Sequence, residues 1–243
     1  GTAVTSRVLE AEGLRVAVLA QPDWHDAEAF RAMGRPRLGV FIGAGNLDSM
    51  VAHYTAAKRR RSEDFYSPGK RSGCRPDRAA IVYCNRAREA FGPDMPIILG
   101  SLEASLRRFA HYDYWDDSVR RAILFDAPAD LLVYGMGEAA TIEIAHRLKK
   151  KQSVRTMTDI PGTGYITRDP SVCKFDHITL PSFEDVRDDK RLYAEATRTE
   201  YAEHDPIRGR AMIQPCEGRY LIINPPAMPL DTKELDRVAE LPY

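Results

Sequence analysis

The side chains best suited to chemistry fall on three glycine turns and on one aromatic, charged stretch that leaves the second turn. "GAGNLD" carries Gly43, Gly45, Asn46 and Asp48; "GMGE" carries Gly135, Gly137 and Glu138. "GSLEASLRRFAHYDYW", residues 100 to 115, supplies Gly100, Glu103, Arg108, His111, Tyr112, Asp113 and Tyr114. A glycine turn that opens a helix exposes backbone N–H groups, which suit a phosphate or a carboxylate. The chemistry expected is therefore ligand binding, and no residue is assigned a catalytic or metal-binding role. None of the turns reads G-x-G-x-x-G or G-x-x-x-x-G-K-[ST]. Gly43, Gly45 and Ser49 approach the first pattern but lack its last glycine, so a standard dinucleotide or P-loop site is not expected. The alternative use of these glycines is simply to permit tight turns.

Within the aromatic stretch, Glu103 and Arg107 stand four apart, the spacing of an ion pair on one helix face. Arg107 and Arg108, being adjacent, point about 100° apart on a helix, so Arg108 is left for an anion. His111 to Trp115 then offer a hydrogen-bonding and stacking surface, or alternatively an aromatic lid over the end of the core. The four cysteines, Cys74, Cys84, Cys173 and Cys216, show no C-x2-C or C-x3-C spacing and read as free thiols.

The elements that position these turns repeat one pattern, a short β-rich apolar run, a glycine turn and a helix. It occurs from Leu38, from Met95 and from Asp130. "LRVAVLA" at 14 to 20 reads as a further strand, followed by a helix in "DAEAFRAM". Apolar strands alternating with helices predict an α/β fold, a doubly wound and mostly parallel sheet with both faces covered. In such a sheet ligands bind beyond the carboxyl ends of the strands, where all three turns would gather. A helix opens the chain ahead of the first of these strands, which reads as a sheet whose own first strand is missing. Beyond residue 150 the alternation weakens. "PGTGYITRDP" reads as a hairpin or strand, "SFEDVRDDKRLYAEATRTEYAEH" as one charged helix capped by Ser182 and Asp185, and "RYLIINPPAMPL" as a strand halted by Pro-Pro. The expected division is a Rossmann-like domain over residues 1–152 and a smaller α+β connecting region over 153–243.

Lys plus Arg equals Asp plus Glu at 35 each, and hydrophobic residues make up 44%. That balance opposes a whole-surface grip on nucleic acid or anionic lipid. No apolar run approaches the roughly 18 to 20 residues needed to cross a bilayer, so a cytoplasmic protein without membrane contact is expected. One segment departs from neutrality. Residues 58–78, "KRRRSEDFYSPGKRSGCRPDR", hold eight Lys or Arg against three acids. It reads as a solvated flexible loop or as a basic flap over an anionic ligand.

"GNLDSMVAHYTAAKRRRSEDFYSPGK", "RPDRAAIVYCN", "EASLRRFAHYDYWDDSVRR", "LLVYGMGE" and "NPPAMPL" together resemble the N-terminal region of YgiQ-type radical S-adenosylmethionine proteins. The resemblance covers nearly the whole chain. "GMGEAATIEIAHRL" followed by "IPGTGYITRDP" is also similar to the end of the cobalamin-binding-like Rossmann domain that precedes many radical enzymes. Ser101 departs from the usual Gly-Gly of the second turn. The resemblance implies a full-length enzyme with a 4Fe–4S cluster that cleaves S-adenosylmethionine, and a C-terminal radical domain as partner of this chain. The chain itself, with no cluster loop, would position a substrate or cofactor. The other reading is a non-catalytic module docking RNA or protein through loop 58–78. A cobalamin held by a protein histidine is not expected, since "DWHD" at 23 to 26 follows the wrong strand and has Glu28 where the motif wants glycine.

Overall fold

A computed structural model describes every residue from Gly1 to Tyr243. Nine strands form in chain order: β1 (Val40–Ile42), β2 (Ile97–Leu99), β3 (His111–Asp113), β4 (Ser118–Arg120), β5 (Leu131–Val133), β6 (Thr163–Thr167), β7 (His177–Thr179), β8 (Ala211–Cys216) and β9 (Arg219–Ile223). The helices are α1 (Thr2–Ala11), α2 (Ser49–His53), α3 (Ala79–Phe91), α4 (Ser101–Leu106), α5 (Ile123–Asp126), α6 (Glu138–Lys149), α7 (Phe183–Asp188), α8 (Lys190–Ala202) and α9 (Thr232–Ala239).

Seven strands make one sheet in the order β1-β2-β5-β6-β9-β8-β7, and β3 and β4 form a separate hairpin. The β1–β2 and β2–β5 ladders are parallel, as is β7–β8. The ladders joining β5 to β6, β6 to β9 and β9 to β8 are antiparallel. Thus the sheet crosses residue 152 without a break and changes from parallel to antiparallel pairing there. Every residue of β2 and β5 is buried, as strands covered on both faces must be. One face packs on α3, whose stripe of Ala79, Ala80, Tyr83, Cys84, Ala87 and Phe91 includes small residues that let the helix lie close. The other packs on α6 through Ala140, Ile144 and Leu148. The doubly wound α/β architecture is as the apolar runs predict.

Four local expectations are corrected. Leu14–Ala20 forms no strand; it runs unpaired over the surface, with Val18 and Leu19 exposed, because no neighbouring backbone meets it. "DAEAFRAM" yields only a 3-10 turn at Ala29–Arg31. The Asp23 and Asp26 carboxylates take the His25 and Glu28 N–H groups, a local competitor to a helix. The charged helix breaks at Asp189, which leaves the helical region and caps α8 at the Arg191 N–H. The Ser182–Asp185 capping box at the start of α7 is formed as read. The helix from Ser101 stops at Leu106, and His111 to Arg120 instead form the β3–β4 hairpin. Asp113 drives that turn by accepting the Trp115 and Asp116 N–H groups. No helix is long and apolar enough to cross a membrane.

Candidate functional site at the carboxyl edge

The ends of β1, β2 and β5 bring the three glycine turns to one edge of the sheet. The Gly100 N–H donates to the Ile42 carbonyl at 2.8 Å, joining the first two turns. A Cβ on Gly43 would lie 3.0 Å from the Ser101 Cβ, a tight approach that favours glycine here. Ser101 itself has φ +74°, a left-handed backbone that glycine favours. Its hydroxyl accepts the Ala44 N–H at 3.2 Å, which offsets part of that strain. Gly45 and Gly135 also have positive φ and, with Asn46, are exposed at the edge.

Glu103 and Arg107 do not pair. Glu103 is buried and accepts the Ser49 N–H at 2.9 Å and the Ala80 N–H at 3.0 Å. One carboxylate therefore ties the N-termini of α2 and α3 to α4 and supplies a cap that Arg78, the residue before α3, does not. Arg107 lies past the end of α4 and pairs with Asp48, whose other oxygen caps α2 at the Met50 and Val51 N–H groups. Asp48, Glu103 and Arg107 are thus committed to holding the turns in place.

Arg108 is different, for no carboxylate pairs with it. Its guanidinium stacks over Tyr134 at 5.0 Å and Phe109 at 5.3 Å, donates to the Ser105 carbonyl at 2.6 Å, and keeps its Nε buried without a partner. Nη2 stands 3.4 Å from His204 Nδ1. Burial lowers the pKa of Arg108 and pushes the Glu200 carboxyl up to about 7, against the opposing pull of Arg108. Burial, and then Arg108, lower His204. Tyr134 follows β5 and donates to the Asn224 carbonyl at 2.5 Å. Asn224 follows β9, which runs parallel to β5, so both lie on the carboxyl edge. Two further buried acceptors lack partners there, Asn224 Oδ1 and Glu138 Oε2, the latter at the start of α6 behind Gly137. A guanidinium that forms no salt bridge, on the same edge as buried polar atoms without partners, is an arrangement able to receive an anionic or hydrogen-bonding ligand.

The sequence does not single out Tyr134, Glu200, His204 or Asn224. One signal was available: Tyr193, Ala196 and Glu200 share a face of α8, so Glu200 occupies a position where an apolar residue would pack.

The remaining candidates belong to the hairpin and not to this edge. Asp113 is buried and bridges to Arg78 at 3.0 Å; burial works against its carboxylate, but Arg78 and the two N–H donors hold its pKa below the ordinary value. His111 donates Nδ1–H to the Phe109 carbonyl at 3.1 Å, and burial lowers its pKa. Tyr112 and Tyr114 are each 49% exposed. Tyr114 donates to the Ala56 carbonyl at 2.6 Å and lies under Lys58. The hairpin thereby clasps loop 58–78, most of whose residues are exposed to solvent. Within it Asp64 is buried, accepting Arg75 at 2.7 Å and Ser67 at 2.7 Å, while Arg61 donates to the Val51 and Tyr54 carbonyls.

Across its whole length, residues 1–243, the chain matches the radical SAM N-terminal family. It is 53% identical to a UPF0313 protein of Clostridium botulinum (strain 657, type Ba4), over 100% of this chain and 38% of that protein. A UPF0313 protein of Clostridium perfringens (strain SM101, type A) is 52% identical over 100% of this chain and 37% of its own length. The chain thus spans under two fifths of the curated relatives it matches. No solved structure matches it.

Proposed function

The chain belongs to the radical SAM N-terminal family, and on that premise we propose that it positions a substrate or cofactor for a radical S-adenosylmethionine iron–sulfur enzyme. The observation that carries the reading is Arg108, a half-buried guanidinium at the carboxyl edge that forms no salt bridge and whose Nε is buried without a partner. In this reading the carboxyl edge faces the C-terminal radical domain, and the Arg108 cluster holds one end of the ligand.

The family implies a 4Fe–4S cluster and S-adenosylmethionine in the full-length protein, which together supply a 5′-deoxyadenosyl radical. The residues of this chain do not fit a cluster. No three His, Cys, Asp or Glu side chains converge, and burial pushes the Cys84 and Cys216 thiols up to about 12. Their work is binding, orientation and exclusion of water. Nor does His25 have the setting of a cobalamin ligand, since no strand precedes it.

The test uses the full-length protein with its cluster reconstituted, and Arg108→Met, which keeps the apolar stem. A small-molecule extract containing the substrate should stimulate 5′-deoxyadenosine formation, and the variant should lose at least about tenfold of that stimulation. Iron content, basal cleavage and melting temperature should stay near the parent's. Unchanged stimulation, or a loss that follows unfolding, would defeat the reading.

A second reading has one observation in its favour. Phe65 and Tyr66 are 72% and 53% exposed on the basic loop, and Lys70 lies 5.0 Å above the Phe65 ring. A stacking surface among cations suits single-stranded RNA. Salt-dependent binding of an RNA oligomer, abolished in Phe65→Ala/Tyr66→Ala, would favour it over the first.

A further inference from the structure

A cleft of about 700 Å³ lies at the opposite edge of the sheet. Ala129 and Asp130 precede β5, Thr167 ends the antiparallel β6, and Arg219 begins β9, so all of them sit at the amino end of the parallel strands. A smaller lobe of about 210 Å³ adjoins it, sharing Ala129, Arg155 and Ile166.

The charge of this cleft is uncompensated. Its acids are already satisfied: Asp126 accepts Arg120 at 3.1 Å and Arg121 at 2.8 Å, and Asp130 accepts Arg88 at 3.0 Å and the Ile97 N–H at 2.9 Å. Arg168 and Arg219 make no ion pair, and Arg155 only reaches Asp130 at 3.9 Å from an exposed position. Arg168 and Arg219 therefore border one cavity without counter-ions, and Arg155 beside them shares Asp130 with Arg88. Arg219 is held 4.9 Å above the Phe125 ring, which fixes its plane while its N–H edges remain free to donate. In the smaller lobe, Tyr165 is buried and its hydroxyl has no partner. A buried donor left unmade is costly and points to a group that fills it.

We propose that this cleft binds a phosphorylated small molecule, with Arg155, Arg168 and Arg219 around the phosphate oxygens and the organic part toward Phe125. A phosphate or diphosphate carries two or more negative charges and several acceptor oxygens. It answers three arginines better than a single carboxylate does. The cavity volume lies in the range of small-ligand sites. This site is separate from the Arg108 cluster, on the other edge of the sheet, and stands whether or not that cluster serves the radical reaction.

Titration calorimetry of the full-length protein with inorganic pyrophosphate and with ADP tests it. At least one probe should bind saturably, with affinity falling as salt rises. Arg168→Gln/Arg219→Gln should weaken that binding at least about tenfold, since two charged donors are lost. Arg168→Gln alone, at an exposed position, should weaken it measurably and serves if the double variant proves unstable. Arg108→Met should leave it unchanged. No saturable heat from either probe at millimolar concentration, or wild-type affinity in both arginine variants, would overturn the proposal.

Discussion

Replacing Glu103 by glutamine isolates the carboxylate that holds the turns together. Glutamine has nearly the same shape but only one acceptor oxygen, whereas Glu103 accepts two N–H groups, from Ser49 and from Ala80. One charge-assisted hydrogen bond is lost, about 1.5–3 kcal/mol, and one buried N–H faces an NH2, a further ~1–3 kcal/mol. The expected loss is about 3–5 kcal/mol, or roughly 6–20 °C in Tm for a chain of this size. Urea unfolding of the 243-residue chain, followed by circular dichroism, measures it. Glu89→Gln, which removes an exposed pair with Arg86, is the control and should cost under ~1 kcal/mol. If Glu103→Gln costs no more than the control, Glu103 behaves as a surface helix pair and the latch between α2, α3 and α4 is wrong.

Ser101→Ala should destabilise by about 1 kcal/mol, because the buried Ala44 N–H loses its acceptor while the Cβ stays at positive φ. Ser101→Gly should lie nearer neutral, as relief of ~1–2 kcal/mol of backbone strain offsets the lost bond and added chain entropy; urea midpoints distinguish the two. Glu200 gives a pH dependence. Its carboxyl is raised from 4.5 to about 7, so it favours the fold while protonated. That contribution is full below pH 4.5 and is lost as pH rises through about 7. Partial exposure limits it to about 1–3 kcal/mol. Glu200→Gln should therefore flatten the decline in stability between pH 5 and 8, and an unaltered profile in the variant would contradict the assignment.

Much of the fold is legible because burial on both faces leaves a plain mark. "IIL" and "LLV" have no polar residue to spare, and they become β2 and β5 with every position buried. "LRVAVLA" carries the same mark and is no strand, because pairing depends on a neighbour that composition does not report. The Ser101 departure from Gly-Gly pointed to the position where backbone strain is found. The site was legible only in part. Arg108 stood out by elimination from a pair with Arg107 that the structure does not contain, since Arg107 turns to Asp48 across the chain. Its surroundings, Tyr134, Glu200 and His204, meet only through tertiary packing of α8 near β5, and no local spacing encodes that.

If Arg108 serves the radical reaction, the carboxyl edge faces the radical domain of the full-length protein. Pulsed electron-electron resonance between the reduced cluster and a nitroxide reads that orientation directly. Labels placed at Met136→Cys, exposed on the carboxyl edge, and at Arg168→Cys, exposed on the amino edge, bracket the sheet. With reactive cysteines other than the cluster ligands replaced by serine, the shorter distance is expected from position 136. A cluster nearer to position 168 would overturn that orientation.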